Sequence, residues 1–305
     1  MFKSGYVAII GKPNVGKSTL LNSLLKYKLS IVTPKPQTTR HRILGILNGE
    51  DYQALFIDTP GMMKPAYPLQ KLMQREIKSA LEDADLILLM IEPPPSSSLT
   101  SGGRIGGGEL LEESEKRVIE SLLKKPAILV INKVDTVDKR SILPIIEQYS
   151  KMGFKDIFPI SALYNDGLEE LKKGIVLNLP AGEPFYPPDQ LTERPERFFV
   201  AEIIREAIFS YYGEEIPYST LVEIEEFKER EKGKDYIKAI IYTERDSQKA
   251  ILIGKEGRAL KKVGSMARNN IENFLGRAVY LELWVKIKEA WRQDETFIHD
   301  KIYRQ

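Results

Sequence analysis

GKPNVGKS, residues Gly11 to Ser18, follows the apolar run Tyr6-Val7-Ala8-Ile9-Ile10 and precedes Thr19-Leu20-Leu21-Asn22-Ser23-Leu24-Leu25, whose apolar residues recur at helical spacing. A buried strand, a glycine turn and a helix form the setting in which G-x-x-x-x-G-K-[ST] cradles phosphate. Gly11 and Gly16 let the backbone wrap closely around oxygens, and the loop amides together with the helix N-terminus supply positive potential. The pattern therefore predicts a phosphate site built from Gly11, Asn14, Val15, Gly16, Lys17, Ser18 and Thr19. In it Lys17 reaches the β- and γ-phosphates and Ser18 holds Mg2+.

Three further motifs, each after a strand-like run, select the base. Asp58-Thr59-Pro60-Gly61 follows Tyr52 to Ile57. Asp58 can reach the Mg2+ ion, and Gly61 can offer its amide to a γ-phosphate with no side chain in the way. Asn132-Lys133-Val134-Asp135 follows Ala127 to Ile131. Asp135 can accept from the N1 and N2 hydrogens of guanine, a donor pair that adenine lacks, while Asn132 bonds the other edge and the Lys133 stem lies over the ring. Ile160-Ser161-Ala162 closes the set, with the Ala162 amide aimed at guanine O6. Each motif alone is weak, but the four in this order resemble the Ras-like P-loop GTPases over roughly the first 180 residues. That resemblance implies a doubly wound, mostly parallel α/β sheet that binds GTP and GDP.

Composition sets bounds. The 305 residues suggest about two domains, and 42% hydrophobic with 29% charged residues describe a soluble globular chain. No apolar run reaches the ~18 residues of a membrane span, and no secretory leader precedes the first strand, so a cytoplasmic location is expected. The absence of cysteine excludes disulfides and thiolate chemistry, and two histidines, His41 and His299, leave little for histidine catalysis.

Strand and helix signals alternate to about residue 179, which predicts a GTPase domain over residues 1–180. Asn48-Gly49 between two strand-like runs predicts a type I′ hairpin and one antiparallel edge strand. Four prolines in residues 180–188 predict a stiff linker, assigned to 181–195. Residues 92–108, EPPPSSSLTSGGRIGGG, read as a low-complexity surface insertion ahead of a helix over 109–124.

The remainder, 196–305, opens with an amphipathic helix over 197–212 that presents Phe198, Ala201, Ile204, Ile208 and Tyr211 on one stripe. Two strands follow, over 218–227 and 236–242. Gly254-Lys255-Glu256-Gly257 then joins two helices, and a final strand covers 279–287. This order resembles a KH domain of the bacterial type, an α+β fold whose GxxG loop admits a nucleic-acid backbone. Residues 249–292 carry ten basic and four acidic side chains, against eight and thirteen over 196–248. A neutral domain with one basic half is expected to meet a polyanion, through Gly254, Lys255, Glu256, Gly257, Arg258, Lys261 and Lys262.

A GTPase domain followed by a KH domain resembles the bacterial Era GTPases. QTTRHRI at 37–43 resembles that family's first switch, and YLELWVKIK at 280–288 with Trp291-Arg292 its C-terminal signature. The resemblance implies binding near the 3′ end of small-subunit ribosomal RNA and a role in small-subunit maturation. A monomer is expected, and peripheral contact with the cell membrane stays open. The resemblance also implies that Thr39 closes over Mg2+ and the γ-phosphate, with Thr38 the alternative one residue away. Lys17, Thr39 and Gly61 are then the catalytic set, and Ser18, Thr39 and Asp58 the metal set. Met62 stands where Ras-like enzymes often carry a water-orienting Gln, so slow intrinsic turnover is expected. Asn14 is read either as a K+ contact near the phosphates or as a brace of the loop. An ATP-dependent kinase on the same phosphate loop and an RNA-binding protein with a vestigial nucleotide site are the rival readings. Asp135 and the complete motif set oppose them.

Overall fold

The computed structural model describes residues 1–94 and 113–303. Most of the expected insertion, and the start of the helix after it, lie outside the described residues. The chain divides into two compact units. The first comprises Met1–Ser30, Thr39–Met63 and Gln74–Glu193; the second comprises Ile31–Thr38, Lys64–Met73 and Arg194–Gln305.

In chain order the first part of the molecule holds β1 (Lys3–Gly11), α1 (Lys17–Leu25), β2 (Ile43–Asn48), β3 (Tyr52–Asp58), α2 (Pro68–Asp83), β4 (Leu86–Ile91), α3 (Glu113–Leu122), β5 (Ala127–Ile131), α4 (Leu143–Ser150), β6 (Ile157–Pro159) and α5 (Leu168–Asn178). The strand order is β2-β3-β1-β4-β5-β6, parallel throughout except for β2. This is the expected doubly wound sheet with one antiparallel edge. Ala8, Ile10, Ile57, Ile87, Leu89, Leu129 and Ile131 form one core with Ile77 and Ala80 of α2, Ile119 of α3, and Ile145 and Tyr149 of α4. The intervening residues Val7, Ile9, Phe56, Leu88, Ile128 and Val130 are equally buried, because the side-chain period of two sends them to the other face. Strands covered on both faces read as continuous apolar runs, which is why they were legible.

The hairpin turn differs from expectation. None of Asn48, Gly49, Glu50 and Asp51 has a positive φ, so the turn is not type I′. Glu50 and Asp51 lengthen the connection, and it closes through the Gly49 amide donating to the Tyr52 carbonyl at 2.9 Å. Gly49 is a matter of room: a Cβ there would fall 2.1 Å from the Tyr52 ring.

The proline-rich stretch also differs. Up to Glu193 it is strapped to the first unit. Gln53, fully buried in β3, accepts from the amides of Phe185 (2.7 Å) and Tyr186 (3.0 Å) and donates to the Tyr186 carbonyl at 2.8 Å. The Asn48 side chain donates to the Pro188 carbonyl, and the Ile46 amide of β2 to the Leu191 carbonyl at 2.9 Å. Proline removes donors and leaves acceptors, and the strap uses mostly its carbonyls.

The second unit is built on α6 (Glu196–Tyr211), α7 (Ile216–Ser219), β7 (Leu221–Lys228), β8 (Asp235–Thr243), α8 (Asp246–Ile253), α9 (Arg258–Leu275), β9 (Val279–Ile287) and α10 (Glu295–Ile298). β7 and β8 are antiparallel, β8 and β9 parallel. Ile204 and Ile208 of α6, Leu252 of α8 and Val263, Ala267 and Ile271 of α9 pack with Ile237, Ala239 and Ile241 of β8. A smaller cluster joins Leu69, Leu72 and Met73 to Leu221, Ile298 and Trp291, whose indole donates to the Ser219 carbonyl. The amphipathic reading of α6 does not hold. Every residue from Phe198 to Phe209 is buried, including Glu202, Arg205 and Glu206, while Tyr211 is exposed. The charged residues survive burial by pairing: Arg205 donates to Glu202, and Glu206 accepts from the Val32 amide. Lys35 donates to the carbonyls of Phe209 and Tyr212 at the C-terminal end of α6, where a cation suits the helix dipole.

Candidate nucleotide site and RNA loop

The parallel strands β1, β3 and β5 and the loop after β6 deliver all four motifs to their C-terminal ends, where open α/β sheets bind ligands. At the end of β1 the chain turns through Asn14 (φ 65°) and Gly16 (φ 100°) and enters α1 at Lys17. Lys17 is buried, and its ammonium donates to the carbonyls of Gly11 (3.1 Å) and Lys12 (2.9 Å). Burial pushes its pKa down to about 8, against the pull of the Asp58 carboxylate. Burial pushes the Asp58 carboxyl up, against the Ser18 hydrogen bond and the Lys17 charge. Two buried opposite charges that both resist ionisation mark a site that gains from an incoming anion and cation together.

The residues fit Mg2+. Ser18 Oγ donates to Asp58 Oδ2 at 2.6 Å and lies 3.0 Å from Thr39 Oγ1, so the three expected ligands share one point. Among the described residues Asp58 Oδ1 is buried with no hydrogen-bond partner, as an oxygen facing a hydrated cation would be. Among the described residues no cluster of three acidic or histidine side chains forms. A Mg2+ site does not need one, since it takes one or two carboxylates, water and substrate phosphate. The two adjacent threonines have different partners: the Thr38 hydroxyl donates to the Lys35 carbonyl and pairs with Thr33, whereas Thr39 faces Ser18.

Gly61 is held against the phosphate loop. A Cβ at Gly61 would lie 2.7 Å from Pro13, and the next amide, of Met62, donates to the Gly11 carbonyl at 3.0 Å. Thr59 Oγ1 donates to the Ile9 carbonyl, so the loop after β3 is tied to β1.

At the base end, Asn132 does something the sequence reading missed. Its Nδ2 donates to the Val15 carbonyl at 2.7 Å and its Oδ1 accepts from the Ala162 amide at 2.9 Å. Both groups expected on the guanine edge are thus bonded to one another, and Asn132 ties three loops together. The Ser161 hydroxyl donates to Asp135 Oδ1 at 2.5 Å, which fixes the carboxylate. Lys133 adopts φ 63° and pairs with Glu92 at 2.5 Å.

In the second unit Gly254 and Gly257 both have positive φ (70° and 73°), as does Glu256 between them (55°). A Cβ at Gly254 would collide with Ala259 at 2.6 Å, whereas none of the described residues lies within 4 Å of one at Gly257. Gly257 is therefore open to a ligand backbone. Lys255, Arg258, Lys261 and Lys262 are exposed around it, and Arg258 pairs with Glu256.

Comparison with known proteins agrees with this geometry. A family model described as a 50S ribosome-binding GTPase matches residues 6–133, and the KH domain model matches 215–292. The GTPase Era of Caldanaerobacter subterraneus is 44% identical, with 99% of this chain and 98% of that protein covered. The Lactobacillus helveticus GTPase Era is 44% identical over 97% and 95%. An ERA-like chloroplastic GTPase of Arabidopsis thaliana is 44% identical over 97% of this chain and 67% of its own length. Two crystal structures superpose on the whole chain with TM-score 0.90 and 40% identity: an Aquifex aeolicus Era variant bound to GDP·AlF4−, and an Era in complex with MgGDPNP and nucleotides 1506–1542 of 16S ribosomal RNA.

Proposed function

The chain belongs to the Era GTPase family, and from that premise we propose that it is a GTP-driven switch that binds small-subunit ribosomal RNA near its 3′ end and serves assembly of the small subunit. The observation that carries the reading is the open GxxG loop at Gly257, in a chain matched over its full length by a relative holding nucleotides 1506–1542 of 16S RNA. The family model for residues 6–133 is described by the large subunit. The two-domain relative with its RNA is the more specific guide, because it covers the KH part as well.

Each residue has a physical task in GTP hydrolysis. Asp135, fixed by Ser161, accepts from guanine N1 and N2. Lys17 gives up two backbone carbonyls and turns its ammonium to the β- and γ-phosphates. Ser18, Thr39 and Asp58 would hold Mg2+, which when bound would supply positive charge to the transferred phosphoryl oxygens. Gly61 offers its amide to the γ-phosphate, and its contact with Pro13 fixes that amide against the loop. The Met62 thioether cannot orient water, which makes intrinsic turnover slow. Asn14, at the left-handed corner of the loop, is read either as a contact for K+, which would add a further positive charge near the phosphates, or as a brace of the loop. A kcat unchanged when Na+ replaces K+ reduces Asn14 to a brace.

We read the chain as a cytoplasmic monomer, with peripheral contact to the inner face of the membrane left open, which pelleting with anionic vesicles tests. Among the described residues no helix is long and apolar enough to cross a membrane. The deciding experiment sequences RNA crosslinked to the protein with and without a GTP analogue. Crosslinks at the 3′ end of the small-subunit RNA that depend on nucleotide support the reading. Crosslinks confined to large-subunit RNA overturn it.

A further inference from the structure

Two neighbouring tyrosines at the end of α6 have different surroundings. Tyr212 is buried, and its hydroxyl donates to the Leu252 carbonyl at 2.6 Å, two residues before Gly254. That bond pins the end of α6 to the end of α8, next to the GxxG loop. Lys35 grips the same turn through the carbonyls of Phe209 and Tyr212. Tyr211, between those two residues, has no such anchoring role. Its ring meets the Tyr212 ring edge-on at 4.9 Å and remains 36% exposed. The Lys262 ammonium stands 5.5 Å from the Tyr211 ring centroid. Lys262 lies one helical turn after Arg258 on α9, so both share a face beginning at Gly257.

We propose that Tyr211 is a base-stacking platform for single-stranded RNA at the rim of the GxxG loop, with Lys262 as its companion cation. The proposal rests on the reading of this chain as an RNA binder and names one way a base is held. A GxxG loop clamps backbone, and clamped backbone splays its bases outward onto whatever π surface lies beside it. Tyr211 is that surface: aromatic, exposed, held by a rigid turn, and next to the cationic face of Arg258 and Lys262. Stacking a base on an aromatic side chain strengthens binding roughly 5- to 150-fold. An exposed cation–π contact contributes only about two- to fivefold. A base therefore displaces the ammonium from the ring, and Lys262 meets the adjoining phosphate.

The test titrates the full chain, loaded with a GTP analogue, against an RNA of nucleotides 1506–1542 of 16S RNA, carrying 2-aminopurine at one position at a time. Tyr211→Leu is expected to weaken binding about tenfold with the salt slope unchanged, because no phosphate contact is lost. It should also remove the fluorescence quenching at one nucleotide position. Tyr211→Phe keeps the ring and restores both. Lys262→Gln lowers the salt slope by about 0.7. Wild-type affinity and quenching in Tyr211→Leu overturn the platform, as does a loss that tracks lowered thermal stability. Gly257→Asp separates the two readings. If it binds as wild type does, or if wild type does not bind, the RNA reading itself fails. If it alone loses binding, only the platform fails.

Discussion

A methyl group on Gly16 would meet the Asn132 amide nitrogen at 2.2 Å, because that nitrogen bonds the Val15 carbonyl beside it. The phosphate loop and the base loop are thus built against each other, and Asn132 acts on both. Sequence could place Asn132 in the site but not describe its work, since an amide pairs equally well with a base or a backbone. Asp135 is simpler. With Ser161 donating to its Oδ1, an Asp135→Asn amide keeps its oxygen on Ser161 and turns its NH2 to the base. It should lose about 3 kcal/mol of guanine affinity and accept xanthine, which carries a carbonyl where guanine has its amino group. Competition of GTP against XTP measures this, and equal GTP affinity in mutant and wild type would falsify the assignment. The adjacent threonines, which the sequence left as alternatives, should also separate. Thr39→Ala should spare GDP binding and slow hydrolysis, whereas Thr38→Ala breaks a bond to Lys35 and should leave turnover nearer wild type. Single-turnover hydrolysis distinguishes them, and equal losses would contradict their separate partners.

Elements with a strict apolar pattern are legible: β1, β5 and β9 lie within a few residues of their predicted bounds. The misreadings share a cause, which is that long-range partners overrode local signals. α6 reads as one-sided in sequence because Glu202, Arg205 and Glu206 look like a solvated face, and only the packed structure shows their partners. The proline-rich stretch reads as a stiff linker because nothing local announces Gln53 as its anchor. Gln53→Leu should leave the amides of Phe185 and Tyr186 without their acceptor and destabilise the first unit by about 2–4 kcal/mol. A urea titration monitored with GDP absent would measure it, and an unchanged midpoint would count against the strap. In the second unit, Arg277 joins the starts of α6 and β8 through Glu196 and Asp235. Burial would raise the Asp235 pKa, but the Arg277 guanidinium and the Arg230 amide outweigh it and hold it below the usual value. The folded pKa lies below the unfolded one, so this stabilisation is present above about pH 4 and fades as pH falls further. Asp235→Asn should therefore destabilise the unit by about 2 kcal/mol at neutral pH and by little near pH 3. A deficit that persists in acid would show the charge to be irrelevant.

At the scale of the molecule, the nucleotide motifs belong to the first unit and the GxxG loop to the second, with Thr38 and Thr39 on either side of a unit boundary. The assignment of residues 31–38 and 64–73 to the second unit was not legible, since both runs carry the composition of ordinary loops. Because Gly257 faces open space, Gly257→Asp should cost RNA affinity without disturbing GTP affinity. RNA binding should also fall by about 0.7 log units per log of salt for each phosphate neutralised. Titrations at several KCl concentrations would expose a flat response. The strap on β2 has a practical consequence. A GTPase domain cut at Pro180, where its last helix gives way to prolines, would lose the Leu191 carbonyl that covers the Ile46 amide and the Phe185 and Tyr186 partners of Gln53, leaving that side chain its bond to Asn48. It would present an unguarded strand edge to its own copies, the arrangement by which sheets grow from molecule to molecule. A domain cut after Glu193 keeps that edge sealed and should stay dispersed at concentrations where the shorter one self-associates.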